Sequence, residues 1–284
     1  MRKRLSKIIR YASISLLVLL VALYVVFVRF SAPPSDKALM ELFQTSPTPL
    51  TIAKWHFKDF SFRVLKTALN PAKPTLVFVH GTIGSCANFE AYMNDSTLTE
   101  HFNMLSYDRI GYNYNDPHPV QESIAFERDM LHSILDQLPN DNTILVGYSY
   151  GGPIALATRK KLKKVVLLAP AVYSAVEPMP WMVNLYRWPM TRWMIPKVWQ
   201  EASKEKLSHR SDLQNFEKTW ASTPNQVISM HGNSDWIVPL ENSTYLQKQL
   251  PSSRFQLIPL HDAGHDLVWS RFEPIKQQLL KLKD

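Results

Sequence analysis

The sequence predicts an α/β fold: a mostly parallel, doubly wound sheet with a helical insertion, preceded by one N-terminal transmembrane helix. Three observations carry that expectation. From residue 75 onward, short apolar runs alternate with helical stretches, as in a parallel sheet covered on both faces. The alternation breaks between residues 171 and 224, where tryptophan, methionine and proline take over. Residues 11–28 contain no charge at all.

Those eighteen residues would span ~27 Å as a helix, close to the apolar thickness of a bilayer. Arg2, Lys3, Arg4, Lys7 and Arg10 precede them, which predicts a cytoplasmic amino terminus and an extracytoplasmic body, single-pass in the cytoplasmic membrane. A cleaved signal peptide is the rival. Its apolar core is usually shorter and followed by small residues, whereas Arg29-Phe30 follow here. The basic flank and Arg29 hold six of the eight net positive charges, so the charge belongs to the targeting element and no nucleic-acid partner is expected.

Residues 31–50 carry four prolines around a short helical stretch, 36–44, and read as a spacer. Residues 51–57 and 60–67 read as an edge hairpin turning at Lys58-Asp59. Strands are expected at 75–81, 102–108 and 164–170. Helices are expected at 86–99, capped by Ser85, and at 121–138, where Ile124, Met130, Leu131, Ile134 and Leu138 share a face. Within 171–224, prolines 178, 180, 189 and 196 predict short helices forming a cap over the C-terminal edge of the sheet. Its five tryptophans suggest an apolar acyl pocket or contact with lipid headgroups. Strands at 226–231 and 255–260 then alternate with helices at 241–250 and 269–282. One body, 51–284, is therefore expected, with ordinary composition for a single large core.

The chemistry centres on Gly147-Tyr148-Ser149-Tyr150-Gly151-Gly152, between an apolar strand and an Ala-rich helix. A serine at the tip of so sharp a turn is strained and exposed, and its crowded flanks call for glycine two residues before and two after. A serine needs a base, and the base needs a carboxylate to hold its tautomer. Asp235 follows the strand at 226–231, and His265 follows the next strand, so both fall at the C-terminal edge where active groups gather in such sheets. Asp262 is the rival acid but lies only three residues before His265. His80 and His231 read as structural, and Asp108 with Arg109 as a loop-stabilising ion pair. The single cysteine, Cys86, precludes an intrachain disulfide, and no strained turn surrounds it to make a nucleophile. The nine histidines show no metal-ligand spacing, and no cofactor is expected.

In this ordered set the chain resembles the α/β-hydrolase superfamily over residues 51–284: the serine turn, His80-Gly81, Asp108-Arg109-x-Gly111, Gly232 to Asp235, and Gly264-His265. The resemblance implies catalytic Ser149, Asp235 and His265, with backbone N–H groups of Tyr150 and Thr82 as the oxyanion hole. It implies a serine hydrolase of the carboxylesterase or lipase kind. The tether and the Trp-rich cap point to a small-molecule or lipid-like ester. Thioesterase, amidase, C–C hydrolase and haloperoxidase-like activities use the same groups, and an inactive binding or scaffold protein is the alternative of another class.

Overall fold

Eight strands build one sheet: β1 (Leu50–Phe57), β2 (Phe60–Thr67), β3 (Thr75–Val79), β4 (Asn103–Tyr107), β5 (Thr143–Tyr148), β6 (Lys164–Leu168), β7 (Val227–Gly232) and β8 (Phe255–Leu260). The computed structural model describes residues 2–283; Met1 and Asp284, the outer ends of the first and last expected segments, lie outside the described residues. The strand order is β1-β2-β4-β3-β5-β6-β7-β8, with β1 and β2 antiparallel and the other six strands mutually parallel. The β1–β2 hairpin turns at Lys58, whose φ of 52° closes the pairing of Phe57 with Phe60.

Alternation along the central strands divides the core. Val77, Val79 and Leu145 face one layer with Leu131, Ile134 and Ile154. Leu76, Phe78, Ile144 and Val146 face the other, with Phe89, Met93, Leu267 and Ile275. Side chains of this kind contribute ~1.5–3 kcal/mol each when fully buried, so the two layers fix the sheet that positions the loops. Because β3 to β8 run parallel, their C-terminal ends deliver Gly81, Asp108, Ser149, Ala169, Asp235 and His265 to one edge.

Helix boundaries depart from the sequence reading where local caps intervene. The stretch 86–99 is three short helices, Cys86–Phe89, Glu90–Met93 and Ser96–His101. Ser85 caps the first in a capping box with Asn88, and Asp95 caps the third by accepting from the Leu98 amide. The expected 121–138 helix is Ile124–Leu135, capped by Ser123. The last helix is broken at Arg271. Between β6 and β7 the prolines delimit short helices only as far as Pro196. Beyond it runs one 20-residue helix, Lys197–Phe216, so the expectation of short helices throughout is corrected.

The N-terminal helix, Arg2–Ser31, is long and apolar enough over Ser6–Ser31 to cross a membrane, and none of that span is buried. The following stretch, expected as a spacer, is docked on the body. Its helix Asp36–Leu42 and the next residue bring Leu39 and Phe43 into the core. Arg63 donates to Pro34 O at 2.7 Å and to Asp36 at 2.9 Å.

Candidate active site

Ser149 stands at the end of β5 with φ 54°, a left-handed conformation that an ordinary side chain rarely adopts. Three backbone bonds hold it there: its N–H donates to Leu168 O at 3.0 Å, and its carbonyl accepts from Gly152 at 2.9 Å and Ala171 at 3.1 Å. The flanks are as crowded as the turn demands. A Cβ on Gly147 would lie 2.4 Å from Gly151 O, and one on Gly151 would lie 2.2 Å from Val79 O.

The structure brings the three expected side chains into one line. His265 Nε2 is 2.9 Å from Ser149 Oγ, and His265 Nδ1 is 2.8 Å from Asp235 Oδ2. The second oxygen of Asp235 accepts from the amides of Ile237 at 3.0 Å and Val238 at 2.8 Å. An acceptor-only carboxylate at Nδ1 puts the proton on that nitrogen and leaves Nε2 free to accept from the serine. Burial would raise the Asp235 carboxyl, but the nearby His231 imidazole, the hydrogen bond and charge of His265 and the Val238 amide outweigh it and hold it well below the usual carboxylate range.

Two loops carry Asp235 and His265, and they are stapled together. Asn233 donates to Leu260 O, Ser234 donates to Ala263 O, and Asn233 Oδ1 accepts from the Asp262 amide. A Cβ on Gly232 would meet Ala263 O at 2.1 Å, which is why glycine stands there. Tyr148 holds the imidazole from the strand side: its hydroxyl donates to His265 O at 2.8 Å and its ring stacks at 5.2 Å. Asp262 is exposed, at φ 51°, and has no bond to His265. His231 is buried, with Nδ1 on Ser243 and Nε2 donating to Val238 O. Cys86 is fully buried in the core, and burial pushes its thiol well up.

The His80-Gly81-Thr82 turn lies against the serine: a Cβ on Gly81 would be 2.7 Å from Ser149 Cβ. Neither the Thr82 nor the Tyr150 amide N–H is taken up by a protein acceptor among the described residues. His80 is buried, and burial, then the Arg109 charge, lower it strongly, so it is neutral. Its Nδ1–H donates to Gly81 O at 2.8 Å while Nε2 accepts from the Arg109 amide at 3.0 Å.

The expected ion pair between Asp108 and Arg109 is not what the structure contains. Successive residues leaving a strand face opposite ways, and each finds a distant partner. Asp108 accepts from Arg63 Nε at 2.7 Å and from the Cys86 amide at 2.7 Å. Arg109 donates to Glu205 on the Lys197–Phe216 helix at 2.5 Å, both side chains being buried. Glu205 also accepts from Thr82 Oγ1 at 2.6 Å and Tyr112 at 2.9 Å. Burial raises its carboxyl, while the Arg109 charge and the two hydroxyls favour the ionised form. The Arg109 guanidinium also lies 4.6 Å from the centre of the Tyr150 ring. No motif in the sequence singles out Glu205. Its signal is the helical spacing of Val198, Ala202, Glu205, His209 and Leu213, an inward face with a carboxylate in it.

Such an arrangement can transfer a proton from a hydroxyl to an imidazole and stabilise the resulting cation. Among the described residues no group of three or more His, Cys, Asp or Glu is arranged to hold a metal ion.

The model of a family described by the α/β-hydrolase fold matches residues 74–226, more than half of the chain. This chain belongs to the α/β-hydrolase fold family. No curated protein matches this α/β hydrolase. Solved structures resemble its fold at low identity. One is a membrane phospholipase A described as a bacterial virulence factor, with TM-score 0.61 and 14% identity, covering 99% of this chain and 98% of that one. An esterase from Exiguobacterium antarcticum aligns with TM-score 0.60 and 17% identity over 78% of this chain and 96% of its own. A bromoperoxidase from Bacillus anthracis aligns with TM-score 0.60 and 17% identity over 82% of this chain and all of its own.

Proposed function

We propose that this α/β hydrolase is a membrane-anchored serine hydrolase that cleaves an ester of an apolar or lipid-like acid. The observation that carries the reading is the hydrogen-bonded line Ser149–His265–Asp235, beside the Thr82 and Tyr150 amides, which have no protein acceptor among the described residues. Ser149 Oγ attacks the acyl carbonyl carbon as its proton passes to His265 Nε2. The bond to the leaving oxygen then breaks, and His265 returns that proton to the departing alcohol. Asp235 keeps the imidazole oriented and stabilises its cationic form. Water next attacks the acyl-serine, giving its proton to His265, and the acid leaves as Ser149 is regenerated. The N–H groups of Thr82 and Tyr150 receive the tetrahedral oxyanion in both halves; each such donor is worth ~3 kcal/mol.

The N-terminal helix serves as an uncleaved anchor, with the basic flank in the cytoplasm and the body outside it. The resemblance to a membrane phospholipase A reaches through 99% of the chain, which supports a substrate drawn from lipid. Full-length protein in vesicles is assayed on nitrophenyl esters of increasing chain length and on phosphatidylcholine. Release of fatty acid by wild type and none by Ser149→Ala supports the reading. Turnover that Ser149→Ala retains contradicts it.

A further inference from the structure

Between β6 and the Lys197–Phe216 helix lies a surface that the ester chemistry does not use. Trp181, Trp188 and Trp193 are 72%, 57% and 75% exposed, and Met182, Met190 and Met194 stand among them, each at least half exposed. Residues 178–200 contain no acid; Arg187 and Lys197 are exposed on the same stretch. The segment is ordered by its own bonds: Thr191 Oγ1 donates to Leu185 O at 2.6 Å, and Arg192 Nε to Tyr186 O at 2.8 Å. Three indoles held in water by a folded segment need a partner.

The end of the N-terminal helix says which partner. Phe27, in the last turn of its uncharged run, packs on Trp199 with ring centres 5.6 Å apart, and Trp199 Nε1 donates to Ser31 Oγ at 2.8 Å. Trp199 follows Trp193 by six residues, at most ~20 Å of chain. Arg63 holding Pro34 and Asp36, and Leu39 in the core, leave little slack between helix and body. Trp193 is therefore held within ~20 Å of the point where the helix leaves its bilayer, and the helix Val183–Arg187, between Trp181 and Trp188, packs on the helix that carries Trp199; at that level tryptophan is favoured and Arg and Lys meet anionic headgroups.

We propose that residues 179–194 form a membrane-docking surface that lies in the headgroup layer of the bilayer crossed by the N-terminal helix, and that it takes anionic phospholipid. This rests on the anchor reading and adds a second, independent attachment. It also sets how substrate arrives. Ile83, beside Thr82, packs in one small cluster with Val198 and Trp199, so the turn adjoins the start of the helix that follows the docked face. A body docked in this way would receive its acyl chain from the outer leaflet beside that turn rather than from bulk water.

The test uses full-length protein in vesicles of phosphatidylcholine and phosphatidylglycerol, with and without brominated acyl chains that quench indole fluorescence on contact. All eight tryptophans lie outside the N-terminal helix, so quenching reads the body alone. The proposal expects strong quenching in wild type and about a two-fold loss of it in W181F/W188F/W193F. It also expects wild-type quenching to weaken when phosphatidylglycerol is omitted. Circular dichroism and turnover of a water-soluble short ester, both unchanged, show that the triple variant is folded. Equal quenching in wild type and variant overturns the proposal. So does a detergent-solubilised dimer that the triple substitution dissociates, since a second copy then covers the patch. An alkaline wash that strips wild-type protein from vesicles overturns the anchor reading instead, and quenching before the wash still decides the docking surface.

Discussion

The hydroxyl of Thr82 donates to the buried carboxylate of Glu205 at 2.6 Å, tying the turn beside the nucleophile to the long helix packed over it. The same carboxylate holds Arg109, whose amide fixes His80 and whose guanidinium lies against Tyr150. One ion pair thus braces both residues proposed to supply the oxyanion donors. Removing the Thr82 hydroxyl while keeping its amide is the gentlest disturbance. Thr82→Val is expected to lower kcat roughly ten-fold, with KM little changed, because an oxyanion donor matters most in the transition state. Thr82→Ser is expected to restore near wild-type kcat. Steady-state kinetics on a soluble ester check both.

Asp235 and Asp262 compete in the sequence but not in the structure. Asp235→Asn is expected to lower kcat by ~10⁴, since an amide can present the wrong partner to Nδ1 and favour the wrong tautomer. Asp262→Asn is expected to leave kcat within about two-fold, because its carboxylate is exposed and apart from His265. Parallel kinetics on the two variants make the comparison.

Glu127 is buried beside Arg109, and neither carboxylate oxygen has a partner among the described residues. Burial pushes its carboxyl up to about 7, against the pull of Arg109. The folded state therefore binds a proton between the ordinary carboxylate range and about 7 that the unfolded state does not. Stability from this group is present at low pH and is lost as pH rises toward and through 7. Glu127→Gln removes the titration. Relative to wild type, the variant is expected to gain on the order of 3 kcal/mol between pH 5 and pH 8.5. Denaturant titrations in detergent at the two pH values measure the difference.

The serine turn tolerates no bulk at Gly151, where a Cβ would lie 2.2 Å from the Val79 carbonyl. Gly151→Ala is expected to cost ~3 kcal/mol or more, because the clash is with backbone at the centre of the sheet. Gly264→Ala meets only the Asp266 side chain, at 3.0 Å, and is expected to cost less than about 1 kcal/mol. Denaturation midpoints of the two variants test the contrast.

Much of the fold is legible in the sequence because parallel strands buried on both faces leave continuous apolar runs, as at 76–79 and 165–168. The placement of Ser149 and Asp235 is legible for the same reason, each following such a run, whereas His265 follows the half-exposed edge strand β8. Helix breaks at Asp95 and Arg271 are not, since caps and tertiary packing decide them. Nor are the ion-pair partners. Asp108 meets Arg63 across 45 residues and Arg109 meets Glu205 across 96, and no local spacing encodes a contact that only the closed sheet creates. The docking of residues 36–43 hides behind prolines that read as a linker.

In the proposed reaction Ser149 is the nucleophile. A fluorophosphonate reacts far faster with an activated serine than with other side chains, so the direct measurement is peptide mass spectrometry of full-length, vesicle-bound protein after labelling. One phosphonylated residue, Ser149, is expected, with labelling abolished in Ser149→Ala and strongly slowed in His265→Ala. Folded wild-type protein that takes up no label, or takes it up elsewhere, would contradict it.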